Sequence, residues 1–553
     1  MVIIWWKDKR MNYSKLKWIL KIFSATIALV FITFPRAAEV QQNQKLAKDQ
    51  KLNVANGTEI ATLDPQKVED APTTNIIQDL FEGLIRNDIN GHLQPAGATH
   101  WKISEDKLTY VFYLRKNVKW SNGETITADD YVYAFQRLVD PKVASSYSFL
   151  IYPIKNSETI NQGKLPVNQL GVRAIDKETI EISLKEPTPY FLEILAMINC
   201  APANKAAMEK NKEHFFQVGN IISNGPYLLK YWKVGDKITL VKNPKYWNAQ
   251  KTILEEVNYY PTQSLTTVIQ MYEAGQIDFT NEIPTDLFNH LKQKYPQEVK
   301  INPYLASYWL SFNLQKKPFQ DNLKLRQALS MVIDRDIITK QVTRRGEIPI
   351  YDIVSMGTKN YNQSKYDWVS LPFKDRVNKA QKLLEEAGYG AKNPLKLKIL
   401  YSTNENNKKL VLAIAAMWKQ NLNIDVTLEN QEWKVFLNSR QKGDYEVAWD
   451  RWIADYNDAN TFLDVVRSDS QMNNPKYNNK KFDQLLKLSS IEHDMKKRKK
   501  LLEDASTLFM NDYAIIPLYS AVTTHLVKTY VGGYSGKNPQ DFTASFDLFI
   551  KAH

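Results

Sequence analysis

The sequence of 553 residues contains a single cysteine, Cys200, and only seven histidines. One thiol cannot form an intramolecular disulfide, and it cannot build a zinc ribbon, which needs about four ligands and usually carries them in CxxC pairs. The histidines do not follow metal-ligand spacing. These shortages exclude disulfide scaffolds and thiolate metal sites, and we predict a protein without a metal or other cofactor. Cys200 is expected to be a small buried apolar residue.

The common catalytic motifs are also missing. There is no GxSxG elbow, no HExxH motif and no GxGxxG loop after a strand. The glycine-rich segment 532–538 lacks the spacing of a phosphate-binding loop and is interpreted as a turn. The acidic segment 450–458 offers carboxylates, but the sequence does not define their separation. We therefore predict a binding protein and not an enzyme, with a peptide- or peptidoglycan-processing hydrolase as the alternative.

The apolar run at residues 22–34 is too short for a membrane span, which needs ~20 residues. It follows a basic segment, and this order is typical of a secretory signal. We predict a signal peptide at 1–38, with the start at Met1 or Met11, followed by a polar tether at 39–50. The product is expected in the periplasm, and an uncleaved membrane anchor is the alternative.

Part of the excess of positive charge lies in this predicted signal peptide. Lys and Arg number 73 and Asp and Glu 60, which gives +13, and residues 1–38 hold six of these charges, so +7 remains without them. No block of Lys and Arg is interleaved with aromatic residues or glycine, so a nucleic-acid partner is not predicted. With 43% hydrophobic and 24% charged residues, the chain is expected to fold into three or four packed domains.

Hydrophobic periodicity predicts an α/β protein in which helices and strands alternate. A strand is predicted at 179–184, a helix after the capping residue Thr127, and a helix at about 377–387 that ends at Gly388.

The clearest unit is 395–451. Apolar residues alternate at 395–399, 424–428 and 445–449, and helical spacing occurs at 407–422 and 432–440. Strand, helix, strand, helix, strand implies right-handed crossovers and a mostly parallel sheet. Such sheets bind ligands beyond the carboxyl ends of their strands, so the loop 452–458 is predicted as the first place for a site.

Eight short stretches lie in a distinctive order along most of the chain, at 63–67, 79–84, 119–123, 224–227, 246–248, 430–434, 454–457 and 526–528. Together they resemble the extracytoplasmic peptide-binding proteins of ABC importers, solute-binding protein family 5. The resemblance implies a bilobed periplasmic-binding-protein clamshell, type II-like, with a large inserted domain. It also implies the domain boundaries: lobe I at 45–82, 208–305 and 523–553, extra domain II at 83–207, and lobe III at 306–522.

The same resemblance implies a function. The protein would capture short peptides between its lobes and deliver them to an ABC permease at the inner membrane, where separate ATPase subunits supply the energy. It would work as a monomer. Within the family, a murein peptide, a dipeptide, haem or a nickel chelate is an alternative ligand.

Several positions match ligand-binding residues of the family. Asp455 matches the aspartate that binds the α-ammonium group of the peptide. Glu69 and Ala71 match a strand that pairs with the peptide backbone, and Tyr147 matches a tyrosine that closes over the ligand.

Other positions match less completely. Trp433 and Trp452 match aromatic residues that line side-chain pockets, with core packing as the alternative. Arg440 matches one of the groups that bind the peptide carboxylate. A second arginine is replaced here by Trp449 and a histidine by Asn407, both expected at the ligand site.

These replacements leave the binding of the peptide carboxylate open, with Arg451, Lys408 or Lys409 as substitutes. The two cysteines that form a disulfide in similar proteins correspond here to Ala306 and Ile453. This lobe is therefore expected to be held by packing alone.

Overall fold

The computed structural model describes residues 44–470 and 472–553, without the side chains of Glu405, Trp433 and Lys434. The predicted signal peptide 1–38 and the first residues of the predicted tether, 39–43, lie outside the described residues. In the described ranges, no helix is both long and apolar enough to cross a membrane.

Two four-stranded sheets are formed mainly by the first half of the chain. The first has the strand order Lys51–Ala55, Glu256–Tyr260, Lys237–Lys242, Tyr227–Lys233, and its first pair is parallel. The second is antiparallel throughout, in the order Ala98–Ile103, Thr109–Leu114, Thr179–Ser183, Val172–Asp176. Two short ladders pair Ile85–Asn87 with Leu93–Pro95, and Val531–Gly532 with Phe549–Ile550.

The third sheet has six strands and organises the rest of the chain. Its order is Ile348–Pro349, Ile515–Leu526, Val299–Phe312, Val447–Ile453, Lys396–Ser402, Asp425–Gln431. Both neighbours of Lys396–Ser402 are parallel to it, and the three remaining pairs are antiparallel. The prediction of a mostly parallel sheet for the unit 395–451 is therefore confirmed, and three further strands extend this sheet through antiparallel pairs. Long strands from distant parts of the chain complete it, and local periodicity does not report them.

The helices surround these sheets. They span Ala71–Leu80, Ala128–Val139, Ser157–Asn161, Phe191–Leu195, Lys205–Asn211, Leu265–Glu273, Phe288–Lys294, Leu323–Met331, Arg335–Ile337, Phe373–Glu386, Glu405–Leu422, Trp433–Lys442, Asn460–Leu463, Lys480–Ile491 and Met495–Asn511.

The locally predicted elements are confirmed. Thr127 and Asp130 form a capping box before Ala128–Val139, in which the Thr127 N–H donates to Asp130 Oδ2 at 2.8 Å. The strand Thr179–Ser183 alternates buried and half-buried residues. The helix Phe373–Glu386 is followed by Gly388 at φ +92, the left-handed conformation that glycine adopts at low cost.

Two large apolar cores hold the described chain. One consists of residues 305–519 and packs helices such as Glu405–Leu422 against the six-stranded sheet. The other combines residues between 52 and 279 with Tyr456 and with residues 527–550. Cys200 is buried in the second core, where burial raises the pKa of its thiol to about 12. The prediction of a small buried residue is confirmed.

Candidate functional site

Three adjoining cavities of about 270, 340 and 320 Å³ form one continuous cleft. The first and second cavities share Ala71, Tyr304 and Ile453. The second and third share Tyr308 and Arg451. The cleft therefore follows one edge of the six-stranded sheet, where the strands Lys396–Ser402 and Val447–Ile453 end, as the crevice rule for α/β sheets predicts.

The first cavity brings together four predicted residues from three distant segments. Glu69, Ala71, Tyr147 and Asp455 all line it. The predicted loop 452–458 thus reaches the cleft, and Asp455 is its cavity-lining carboxylate.

The Asp455 carboxylate is half-buried and has little compensation for its lost hydration. Its pKa is raised to about 7 by burial, and the hydroxyl of Thr461, which donates to Oδ2 at 3.5 Å, opposes this shift. Among the described residues, no Lys or Arg forms an ion pair with Asp455. A carboxylate in this state gains from a cation brought by a ligand.

Tyr147 faces the same negative region. Burial raises the pKa of its phenol, and the carboxylates of Asp455 and Glu69 add to the rise. Glu69 itself is exposed and accepts a hydrogen bond from Ser146 Oγ at 2.5 Å. Besides Glu69 and Asp455, this end of the cleft is lined by the carboxylates of Asp70, Glu82, Asp88, Glu193 and Asp547. Its guanidinium, that of Arg86, pairs with Asp547. The excess of carboxylates suits a ligand with a positive group.

The segment around Glu69 and Ala71 is not part of a sheet. Ala71 is the first residue of the helix Ala71–Leu80, whose cap is Asp70, and Glu69 precedes it in an irregular segment. Within the described chain, the backbone N–H and C=O of Glu69 make no hydrogen bond. Both groups are therefore available to a ligand.

The third cavity, at the other end of the cleft, contains Asn407 and Trp449. The Asn407 amide already donates to the Ser402 hydroxyl at 2.9 Å. Trp449 is 2% exposed and belongs to the core, with its ring 5.8 Å from that of Tyr308. Both residues lie at the cleft, but neither carries a charge for a ligand carboxylate.

The positive groups at this end are Arg345, Arg451 and Lys409, all of which line the third cavity. Arg345 is already paired with the carboxylates of Glu282 and Glu347. Arg451 also lines the second cavity and donates to the Tyr308 hydroxyl at 3.1 Å. Lys409 pairs with the exposed Asp286 at 2.5 Å. Lys408 is exposed and lines none of the three cavities.

Arg440 and Trp452 do not line the three cavities in the described part of the chain. Arg440 is 8% exposed and pairs with the buried Asp450, so its charge is neutralised inside the lobe. Trp452 is half-buried against the core and donates from Nε1 to the Thr461 hydroxyl at 3.1 Å. The side chain of Trp433 lies outside the described residues.

The three aspartates of the acidic segment 450–458 differ in their partners. Asp450 pairs with Arg440, and Asp458 receives two hydrogen bonds from Arg498, at 2.7 and 2.9 Å. Of these three aspartates, Asp455 lines one of the three cavities of the cleft, and Asp450 and Asp458 line none of the three. The described residues also contain no group of three or more His, Cys, Asp or Glu that could hold a metal ion.

Some cleft residues carry no signal in the sequence. Gln540 lines the first and second cavities, and its Nε2 donates to the Asp455 carbonyl at 2.9 Å. Tyr304 and Tyr308 lie on the long strand Val299–Phe312, and both line the second cavity. Their side chains are ordinary strand residues by pattern, and only the fold brings them to the site.

Known proteins similar to this chain share nearly its whole length. The family profile described as bacterial extracellular solute-binding proteins, family 5 middle, matches residues 92–474. The periplasmic oligopeptide-binding protein OppA of Salmonella typhimurium is 41% identical over 529 residues, which cover 95% of this chain and 97% of that protein.

Solved structures agree with this similarity. The murein tripeptide-binding protein MppA of Escherichia coli matches with a TM-score of 0.82 and 37% identity, over 92% of this chain and 100% of that one. Haemophilus influenzae OppA in complex with the peptide RPPGFSPFR matches with a TM-score of 0.79 and 37% identity, again over 92% and 100%.

Proposed function

The chain belongs to the bacterial extracellular solute-binding proteins of family 5, and on this basis we propose that it captures short peptides in the cleft for an ABC importer. The protein would bind its ligand in the periplasm and pass it to a membrane permease with separate ATPase subunits. Its relatives include proteins named as a periplasmic oligopeptide-binding protein and a murein tripeptide-binding protein, and these names support the proposed role.

One observation carries the proposal. At one end of the cleft, the half-buried Asp455 carboxylate lies in a cavity with Glu69 and Tyr147 and has no cationic partner among the described residues. A peptide brings an α-ammonium group that would pair with this carboxylate. This ion pair would offset much of the free-energy cost of burying the Asp455 charge.

The backbone of Glu69 provides the second contact. Its unused N–H and C=O would pair with the main chain of an extended peptide, as in strand addition. Main-chain bonds of this kind do not depend on the side chains of the ligand. The adjoining cavities of about 340 and 320 Å³ would then accommodate varied side chains.

We assign the peptide carboxylate to the opposite end of the cleft, near Arg451. This guanidinium lines both the second and third cavities. Lys409 adds positive charge at the rim of the third cavity, whereas Trp449 and Asn407 are neutral there. The buried ion pair of Arg440 with Asp450 argues against a ligand role for Arg440.

The domain boundaries remain a proposal: lobe I at 45–82, 208–305 and 523–553, domain II at 83–207, and lobe III at 306–522. The first four-stranded sheet uses strands of lobe I only, and the antiparallel sheet uses strands of domain II only. The strands Val299–Phe312 and Ile515–Leu526 run past the boundaries of lobe III. We infer that these two strands are the hinge about which the lobes close.

Native mass spectrometry of the purified protein tests the function. We expect bound peptides, which sequencing after denaturation would identify, and their removal should restore binding of added peptide. A murein peptide as the retained ligand would favour the murein branch of the family. Labelled peptides should be recovered intact after incubation, whereas their hydrolysis would refute a binding role.

A further inference from the structure

The hydroxyl of Thr461 contacts three groups of the segment 452–455. Its Oγ1 accepts hydrogen bonds from Trp452 Nε1 at 3.1 Å and from the Asp455 backbone N–H at 3.3 Å. The same oxygen lies 3.5 Å from Asp455 Oδ2. Thr461 is 3% exposed, so solvent does not compete for these bonds.

The direction of the last bond follows from the first two. A hydroxyl has one proton to donate and two lone pairs to accept with. Trp452 Nε1 and the Asp455 N–H can only donate, so together they occupy both lone pairs. The Thr461 proton is then directed at the Asp455 carboxylate, the acceptor that completes this set.

The position of Thr461 is itself set by a buried anchor. Asp458 accepts the N–H of Asn460 at 2.9 Å at the start of the helix Asn460–Leu463, which contains Thr461. Asp458 is also held by both terminal nitrogens of Arg498, a residue 2% exposed. Since Arg498 lies on the long helix Met495–Asn511, the core fixes the hydroxyl in front of Asp455.

We propose that Thr461 is a positioning residue that orients the Asp455 carboxylate to receive the ammonium group of the peptide. This inference rests on the proposed function, because it assigns a residue that acts through Asp455. Trp452 acts one step further away, by occupying a lone pair of the Thr461 hydroxyl.

The chemistry explains why one hydroxyl matters. Burial raises the pKa of Asp455, and the Thr461 hydrogen bond is the contact that opposes this rise. A carboxylate without it would hold its proton more tightly and rotate more freely. Binding of an ammonium group would then have to remove that proton and also fix the side chain.

The test compares Thr461→Val, Thr461→Ser and a matched control. Valine keeps the shape of the side chain and removes the hydroxyl, and serine keeps the hydroxyl. The control is Thr252→Val, because Thr252 is 1% exposed and its hydroxyl has no partner among the described residues. Calorimetry would use trialanine and N-acetyl-trialanine, which lacks the ammonium group. NMR of the aspartate carboxyl carbons would follow the titration of Asp455 without any ligand.

We expect Thr461→Val to bind trialanine about tenfold more weakly, the loss typical of a hydrogen bond to a charged group. Binding of N-acetyl-trialanine should not change, and the pKa of Asp455 should move upward. Thr461→Ser should restore both quantities, and Thr252→Val should behave as wild type. Trp452→Phe removes one donor to the Thr461 hydroxyl and should cause a smaller loss of trialanine affinity. This variant replaces Thr461→Val as the test if the valine variant does not fold.

The inference would be overturned if Thr461→Val bound trialanine with wild-type affinity and Asp455 titrated there as in the wild type. A clear loss of trialanine affinity in Asp455→Asn would, in that case, still support the proposed function. A wild-type protein that binds both peptides equally, or neither, would overturn the ammonium pairing and the inference with it.

Discussion

Replacing Asp455 with asparagine should have opposite effects on stability and binding. The carboxylate is half-buried in the first cavity, where its pKa is raised from 3.8 to about 7. Asparagine has nearly the same shape and carries no charge to desolvate. We therefore expect Asp455→Asn to stabilise the ligand-free protein and to weaken peptide binding.

The magnitude of the stability effect follows from the pKa. At about 1.4 kcal/mol per pH unit, a rise from 3.8 to about 7 corresponds to about 4 kcal/mol. Protonation linkage makes this the amount by which ionised Asp455 destabilises the folded protein above pH 7, and Asp455→Asn removes that charge. The folded protein holds the Asp455 proton more tightly than the unfolded chain, so this destabilisation develops as pH rises from about 4 to 7. The gain in Asp455→Asn should be full above pH 7 and absent below about pH 4.

The effect on binding has the opposite sign. Removing one partner of a buried charge pair costs about 2–5 kcal/mol, or roughly 30- to 5,000-fold in affinity. Wild-type affinity should fall about tenfold per pH unit below 7, where Asp455 holds a proton. It should also fall above about pH 8, where the α-amino group of the peptide loses its charge. Asp455→Asn should lack the acid limb.

Urea unfolding and calorimetry with trialanine, each measured from pH 4 to 9, check both effects. N-acetyl-trialanine is the control, since it should bind wild type and Asp455→Asn alike. Equal affinity of the two proteins for trialanine at pH 7.5 would refute the pairing with ammonium. A variant less stable than wild type at that pH would refute the desolvation of Asp455.

Three further changes test residues on the strand Val447–Ile453 and their partners. Ala306 and Ile453 are direct partners on neighbouring antiparallel strands. Ala306→Cys with Ile453→Cys should therefore form a disulfide and add about 2–4 kcal/mol, which thermal unfolding with and without reductant would measure. Arg440→Met should cost about 3 kcal/mol in urea unfolding, because it leaves the buried Asp450 without its cation. Affinity for trialanine should stay unchanged in the Arg440 variant, and a large loss would restore Arg440 to the ligand site. Asp450→Asn alone should also destabilise, and the combined loss with Arg440→Met should be less than additive.

The local elements of the fold could be predicted because their signals are local. A capping box at Thr127, alternation at 179–184 and the helical spacing in 407–422 each depend on neighbouring residues. The order of strands in the six-stranded sheet could not be predicted in this way. It depends on the strands Val299–Phe312 and Ile515–Leu526, which meet from distant parts of the chain.

The residues of the site could also be predicted only in part from the sequence. Motif resemblance was enough to select Asp455, Glu69, Ala71 and Tyr147, which the fold brings to one cavity. It also selected Arg440, whose charge is paired internally with Asp450. A motif match preserves the residue type, but it does not report which partner already holds the side chain.

The sequence by itself determined the class of protein, because the missing motifs and the ordered family stretches require no distances. The sequence also predicted the loop 452–458 as part of the site, because a site beyond the last strand of a parallel unit follows from the local pattern. Tertiary structure decided which charges remain for a ligand. Asp450 and Asp458 are neutralised by arginines from separate helices, whereas the Asp455 carboxylate lines the cleft and, among the described residues, accepts a side-chain hydrogen bond from the Thr461 hydroxyl alone. Such a difference between three aspartates within nine residues of the sequence arises only when the chain is folded.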